Sequence, residues 1–409
     1  MSAGASELRA TSAEAAAGAR PAQARLPRPH LDRVGVPVAL LIAAALAFAP
    51  FVTFRENRIV AGNGLGLADV FGAREALLLQ LTGALAIGLV LLRSPAVWRA
   101  VFGFAMLLGL GTVLGQVPVH LAGEAHPLAR VSPASGAWLL AFAFAILVVD
   151  ALARLRLAPP ARLAVLAGVL VALGALFHAG WWDGLSVMQE YALRKDSFRQ
   201  EALRHLALSG ASVLAAMAVG LPAGIACARS AALCGLLLPL LNGVQTIPSI
   251  ALYGLLMVPL GLLAARVPLA AELGISGIGA VPALVALFLY ALLPIVSGTA
   301  IGLLQLPAQT REAAVAMGMS STQRLLAVEL PIALPVILGS VRIVLVQNIG
   351  LTSVAALIGG GGFGTFIFQG IGQSADDLVL LGAIPTIALT LVAAVLFEAA
   401  IAFTRGTRQ

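Results

Sequence analysis

The chain has 409 residues, of which 60% are hydrophobic and only 11% charged. Its mean hydropathy of +1.00 excludes an ordinary soluble globular protein and points to a bilayer. The net charge of +7 and the pI near 10.6 come from arginines scattered over a tail and short loops. They are not clustered with aromatics, so a membrane surface explains them better than nucleic acid does.

Residues 1–33 carry Arg9, Arg20, Arg25, Arg28 and Arg33 in an Ala/Pro/Ser-rich setting, which predicts a disordered basic tail. It is not a cleavable signal peptide, because the apolar stretch that follows is full-length and lacks a small-residue cleavage site. A membrane-crossing helix needs roughly 20 apolar residues, and ten stretches qualify: 34–54, 76–92, 99–119, 136–153, 163–180, 206–228, 231–263, 279–304, 333–357 and 379–403. The seventh carries Pro239, Pro248 and Pro259 and is predicted to be one broken or kinked crossing rather than two. The expected fold is therefore an all-α membrane protein with about 10 transmembrane helices.

The excess of arginine on one side of a membrane places the tail in the cytoplasm. Ten crossings return Arg405 and Arg408 to that side, together with the loops holding Arg93, Arg99, Arg154, Arg156, Arg162, Arg229, Arg311 and Arg324. Residues 181–205 dissent. They fall outside yet carry Arg194, Lys195, Arg199 and Arg204, balanced by Asp183, Glu190, Asp196 and Glu201.

The first half, residues 34–180, reads as five accessory spans without a chemical motif. His120 and His126 are six apart in one external loop, a spacing that favours solvated histidines over a metal site. Trp181 and Trp182 close the fifth span as an interfacial belt, and residues 181–205 form an external amphipathic linker. Cys227 and Cys234 lie in apolar spans as small hydrophobes, so no disulfide framework follows.

The second half, residues 206–405, puts polar groups inside its spans. Asn242, Gln245, Thr246 and Ser249 surround Pro248, while Gln347, Asn348, Thr352 and Ser353 occupy the ninth span. Amides in hydrocarbon need partners, so these groups serve either as glue between helices or as the lining of a translocation pathway. Pro248 frees backbone carbonyls near mid-membrane, which transporters use along their pathways.

Between the eighth and ninth spans, the segment 308–331 contains Glu312, Ala313, Ala314 and Gly318, then nine residues, then Val328-Glu329-Leu330-Pro331. Strong helix formers fill 308–317, Gly318 suits a left-handed stop, and Ser320, Ser321 or Thr322 suits the cap of a second helix running to Leu330. A short helix is expected across the cytoplasmic face. Its small alanines admit a close partner surface, and Glu312 at its start offers an exposed acceptor.

On these residues the chain resembles the transmembrane subunits of ATP-binding-cassette (ABC) importers, whose signature is Glu-Ala-Ala, three residues, Gly, nine residues, Ile-x-Leu-Pro. Val328 here replaces the Ile. The resemblance implies a type I ABC importer permease core in the C-terminal five spans and a coupling segment that docks in a separate ATPase. It also implies a second permease core, either a copy or a paralogue, and a periplasmic substrate-binding protein. ATP and Mg would be bound by the partner ATPase, with no cofactor in this chain, in a bacterial inner membrane.

Residues Gly243–Ser249, Leu293–Ile295, Asn348–Gly350 and Ala355–Gly364 are similar to permeases for glycine betaine, choline and related osmoprotectants, across roughly 200–405. The extra N-terminal spans resemble an extended subgroup. A permease for another small solute of the amino-acid type is the alternative.

Three other functions fit the residues less well. Gly359–Gly364 lacks the Lys-Ser/Thr of a phosphate-binding loop and reads as a periplasmic turn. An ion-coupled transporter usually keeps acids at mid-membrane, and none of the 18 acids is expected there. A membrane enzyme needs converging reactive side chains, whereas His178 and His205 flank an external loop without an evident partner.

Overall fold

The computed structural model describes residues 32–58, 60–121, 129–272 and 274–406. The tail before Asp32, His126 and Arg408 lie outside them. Among the described residues, nine helices are long and apolar enough to cross a membrane. The accessory half contains α1 (Gly35–Phe48), α2 (Ala73–Leu91), α3 (Ala96–Leu121), α4 (Ser135–Leu155) and α5 (Pro159–His178). A short α6 (Ser186–Leu193) leads into α7 (Lys195–Arg229), α8 (Ala231–Thr246), α9 (Ser249–Arg266) and α10 (Ala280–Leu304). The chain continues through α11 (Ala308–Ala316), α12 (Leu330–Ala355), α13 (Gly364–Gly372) and α14 (Asp376–Gly406).

The first span is shorter than expected. Helix α1 stops at Phe48, because Pro50 disfavours helical geometry at Ala49. The β-branched and aromatic run Val52-Thr53-Phe54 then forms strand β1 (Val52–Arg55). Strands β2 (Asn63–Leu65) and β3 (Arg130–Pro133) flank β1 antiparallel, with Val52 opposite both Leu65 and Pro133. An otherwise helical protein thus carries a small sheet at one end of its bundle.

The other end of the accessory half is closed by ions. Asp32 accepts from the amides of Val34 at 2.9 Å and Gly35 at 3.0 Å, so it caps α1. It also takes Arg154 at 3.0 Å and Arg99 at 3.3 Å. Asp150 shares both guanidiniums, at 2.9 Å from Arg154 and 3.5 Å from Arg99. Above this network Val38, Ile42, Ala86, Val90, Phe144 and Leu147 form the buried apolar core.

Residues 181–205 are mostly helical, and Glu190, Arg194, Glu201 and Arg204 are paired. Glu190 is buried; it accepts from Arg194 and lies 3.5 Å from Arg130 and 3.6 Å from Arg58. Glu201 accepts from the amide of Gly362 at 2.5 Å. Carboxylate partners within the segment thus account for Arg194 and Arg204, two of the four cations that the loop-charge rule disfavours there. The indoles do more than form a belt: Trp181 and Trp182 donate to the carbonyls of Thr112 (3.0 Å) and Gly111 (2.9 Å), pinning the turn after α5 onto α3.

The seventh span breaks only at Pro248. Ile247 is extended (φ −71°, ψ 127°) and Pro248 opens α9, whereas Pro239 and Pro259 stay inside their helices. Counting α8 and α9 as one pass and the shorter α1 as another, the described residues hold ten passes.

Burial works against a charge on Asp32, but hydrogen bonds from Arg154 and the amides of Gly35 and Val34, with the charge of Arg99, outweigh it. Its carboxyl titrates below the ordinary 3.8. A depressed carboxyl contributes stability above its unfolded value and loses it as pH falls through the folded one. The accessory half should therefore hold its melting temperature down to about pH 4 and lose it below. Asp32→Asn should cost about 1–3 kcal/mol at neutral pH, by leaving Arg99 and Arg154 to share Asp150 alone; melting curves of the two proteins against pH check both.

Candidate functional site: the coupling segment and the polar core

The segment after α10 is built from two caps. Helix α11 ends in a Schellman turn: Met319 N donates to Ala314 O at 3.2 Å and Gly318 N to Val315 O at 2.9 Å, with Gly318 at φ 75°. The next turn opens with a capping box. Ser320 Oγ accepts from Gln323 N at 3.3 Å, and Gln323 Oε1 accepts from Ser320 N at 2.9 Å.

This second helix does not end at Leu330. It passes through a π-turn over Leu325–Glu329, with Leu330 N donating to Leu325 O, and continues into α12. Residues Ser321–Ile358 form one rod of 38 residues. Pro331 lacks the N–H that an α-helix would use there, and the wider π-turn accommodates this without a break.

The faces of α11 are sharply divided. Ala314 is buried, with 1% exposure, while Glu312, Ala313, Ala316 and Gly318 are exposed and Met317 is 70% exposed. Glu312 is the fifth of nine helical residues rather than a capping acid at the start. Beneath the segment, buried Glu329 holds Arg324 at 3.0 Å and Arg311 at 3.3 Å. These three residues and Arg229 line a cavity of about 320 Å³ against the end of α7. Leu330 and Pro331 are half-buried at the foot of the rod. Glu329 was legible in the motif itself; Arg324, five residues before it, reaches it across the π-turn, and Arg311, 18 residues away, is brought in by the turn at Gly318.

The polar residues of the spans separate into two groups. Asn348 and Thr352 are fully buried. Asn348 Nδ2 donates to Ser212 Oγ at 2.8 Å and to Leu287 O at 3.2 Å, and Thr352 Oγ1 donates to Asn348 O at 2.7 Å. This joins α7, α10 and α12. Gln245 also ties helices together, donating to Tyr290 O at 2.7 Å, while the Tyr290 hydroxyl donates to Ile247 O at the break. By contrast Asn242, Thr246 and Pro248 are exposed and Ser249 is half-buried. The open face of the α8–α9 break is therefore the polar surface that remains available, whereas Asn348 and Thr352 act as interhelical glue.

One polar residue has a partner that its expected place beside an external loop did not suggest, and another lies inside a span expected to be free of charge. His205 is fully buried, with Nδ1 accepting from Phe363 N at 3.3 Å, so α7 holds the glycine-rich turn 359–362. Arg342 interrupts the ninth span and donates to Glu398; its position inside an apolar stretch was the available signal.

Asn348→Ala should lower thermal stability by about 1 kcal/mol, and Thr246→Val should leave it unchanged. Melting of the two variants in lipid nanodiscs in the reverse order would contradict the assignment.

Residues 220–405 match the family described as binding-protein-dependent transport system inner membrane component. Residues 32–188 match the N-terminal domain of the ABC transporter permease YehY. Over 189 residues the chain is 41% identical to the osmoprotectant import permease protein OsmW of Salmonella typhimurium, covering 46% of this chain and 83% of that one. It is 37% identical over 195 residues to the glycine betaine/carnitine/choline transport system permease protein OpuCD of Bacillus subtilis, covering 47% and 78%. With the osmoprotectant import permease protein OsmY of Salmonella typhimurium it shares 38% identity over 226 residues, 55% of this chain and 87% of that one. At these identities, across most of each relative, the chain belongs to the family of ABC importer permeases, the inner-membrane components of binding-protein-dependent transport.

Proposed function

We propose that this chain is the transmembrane permease subunit of an ATP-driven importer for a small osmoprotectant such as glycine betaine or choline. The coupling segment carries the proposal: α11 is an exposed helix at the end of the bundle, joined by a left-handed glycine turn to the rod that enters the core. A separate ATPase grips the exposed Glu312, Ala313 and Gly318 and the half-buried Leu330 and Pro331, and supplies the ATP and Mg; Ala314, expected on that surface, instead seats α11 against the bundle. A periplasmic binding protein delivers the solute at the sheet end. The substrate class is supported by the names of the relatives and by the open polar face around Asn242, Thr246 and Ser249.

In this reading the coupling end, and with it both chain termini, face the cytoplasm of a bacterial inner membrane. Arginine enrichment in the connections at that end supports the orientation. Two permease cores pair, each on one ATPase subunit, and ATP-driven closure swings them between inward-open and outward-open forms.

Gly318→Val should uncouple ATP hydrolysis from uptake while the protein still inserts. A Cβ at Gly318 meets nothing within 4 Å, so the damage comes from backbone alone, about 1–2 kcal/mol for a left-handed residue. Solute-stimulated hydrolysis at the wild-type rate would count against the docking. Glu312→Arg should weaken ATPase association several-fold, measured by co-purification; undiminished co-purification removes Glu312 from the interface.

A further inference from the structure

Helix α14 is held by the accessory half at both ends. At the sheet end, Arg55 of β1 donates to Asp376 at 2.6 Å, Ser132 of β3 donates to Asp377, and Arg58 donates to Gln373 at 3.1 Å. Toward the other end, Arg162 of α5 donates to Glu398 Oε1 at 3.1 Å. The second oxygen, Glu398 Oε2, accepts from Arg342. Arg342 belongs to α12, the rod that continues the coupling segment. One carboxylate is thus divided between two guanidiniums, one on the accessory half and one on the rod.

The charge balance makes this division consequential. Two cations face one anion, and Arg342 is the only charged residue in α12. It stands twelve residues past Leu330, about 18 Å along the helix. A guanidinium left alone among apolar helices is costly, whereas an ion pair contributes little that packed apolar side chains could not. Packing therefore does not require this arrangement. Each side chain retains exposure, 31% for Arg162, 43% for Glu398 and 38% for Arg342, so the carboxylate has room to turn. A carboxylate can also bind either arginine through both oxygens.

We propose that Glu398 is an exchange point through which the accessory half sets how firmly the coupling rod is held to α14. While Arg162 occupies one oxygen, the rod keeps a single bond. Without Arg162, both oxygens turn to Arg342 and the rod is locked. Arg162 and Arg342 are opposed positioning residues, and the N-terminal passes regulate the core. The regulatory part rests on the transport reading above; the shared carboxylate does not.

The test uses the full chain, alone for melting and with its ATPase in proteoliposomes for hydrolysis. Arg162→Gln and Arg342→Gln each leave one balanced pair, so each should melt near the wild type. Glu398→Gln leaves two uncompensated guanidiniums and should melt several degrees lower or fail to assemble. The triple variant Arg162→Gln/Glu398→Gln/Arg342→Gln, without charges there, should then recover. If Glu398→Gln melts no lower than the single arginine variants, the sharing is overturned.

ATP hydrolysis gives the readout that a purely structural anchor would not move. Arg162→Gln should slow it about threefold and Arg342→Gln should speed it, within the range of coupling mutations. Equal losses in both variants would overturn the exchange. If the wild-type complex hydrolyses no ATP while the melting order holds, the transport reading fails and the shared carboxylate stands.

Discussion

Pro331 and Pro335 stand where the coupling segment enters the bundle, and the helix absorbs them instead of stopping. The π-turn over Leu325–Glu329 takes up the missing backbone donor, so Ser321–Ile358 is one rod. A helix is stiff along its axis, and in hydrocarbon its backbone bonds cannot be exchanged for water. Displacement of the rod's foot therefore reaches the middle of the core without a break in the helix, and Arg311 ties α11 to that foot across the turn at Gly318. Glu329 strengthens the corner, drawing Arg311 and Arg324 onto the foot of the same rod.

The inner part of the rod meets its neighbours through polar contacts. Asn348 reaches α7 and α10, and Tyr253 of α9 donates to Leu351 O at 3.1 Å. Beyond it, α7 grips the glycine-rich turn through Glu201 and His205. Gly361 and Gly362 have φ of 80° and 88°, a conformation that turns successive amides toward one side and that other residues seldom adopt. The loop that resembles a phosphate site in sequence instead spends its amides on α7. The accessory half adds a second frame around α14, with the sheet contacts at one end and Arg162 at the other.

Much of this was legible in the residues. Hydropathy located the long helices, and the residues from Glu312 to Pro331 marked two helices and the turn between them, because helix formers, a left-handed glycine and a capping serine leave local signals. Pro248 marked the break, but Pro239 and Pro259 carried the same signal without breaking their helices; packing decided among them. The strand at Val52–Arg55 was hidden because its apolar residues extend the apolar run of α1, and its partner β3 lies far along the chain. Whether Asn348 lines a path or joins helices depends on which way one helix face turns, and single-sequence periodicity does not fix that in a helix apolar all round. Arg342 and Glu398, 56 residues apart, are brought together only by tertiary packing.

The most direct measurement of the account is the accessibility of the exposed face of α11. Met317→Cys, a position 70% exposed, should react with a membrane-impermeant maleimide only in inverted membrane vesicles, and the bound ATPase should protect it. Labelling from the periplasmic side of intact spheroplasts, or labelling in inverted vesicles that the ATPase leaves unchanged, would contradict a coupling segment on the cytoplasmic face.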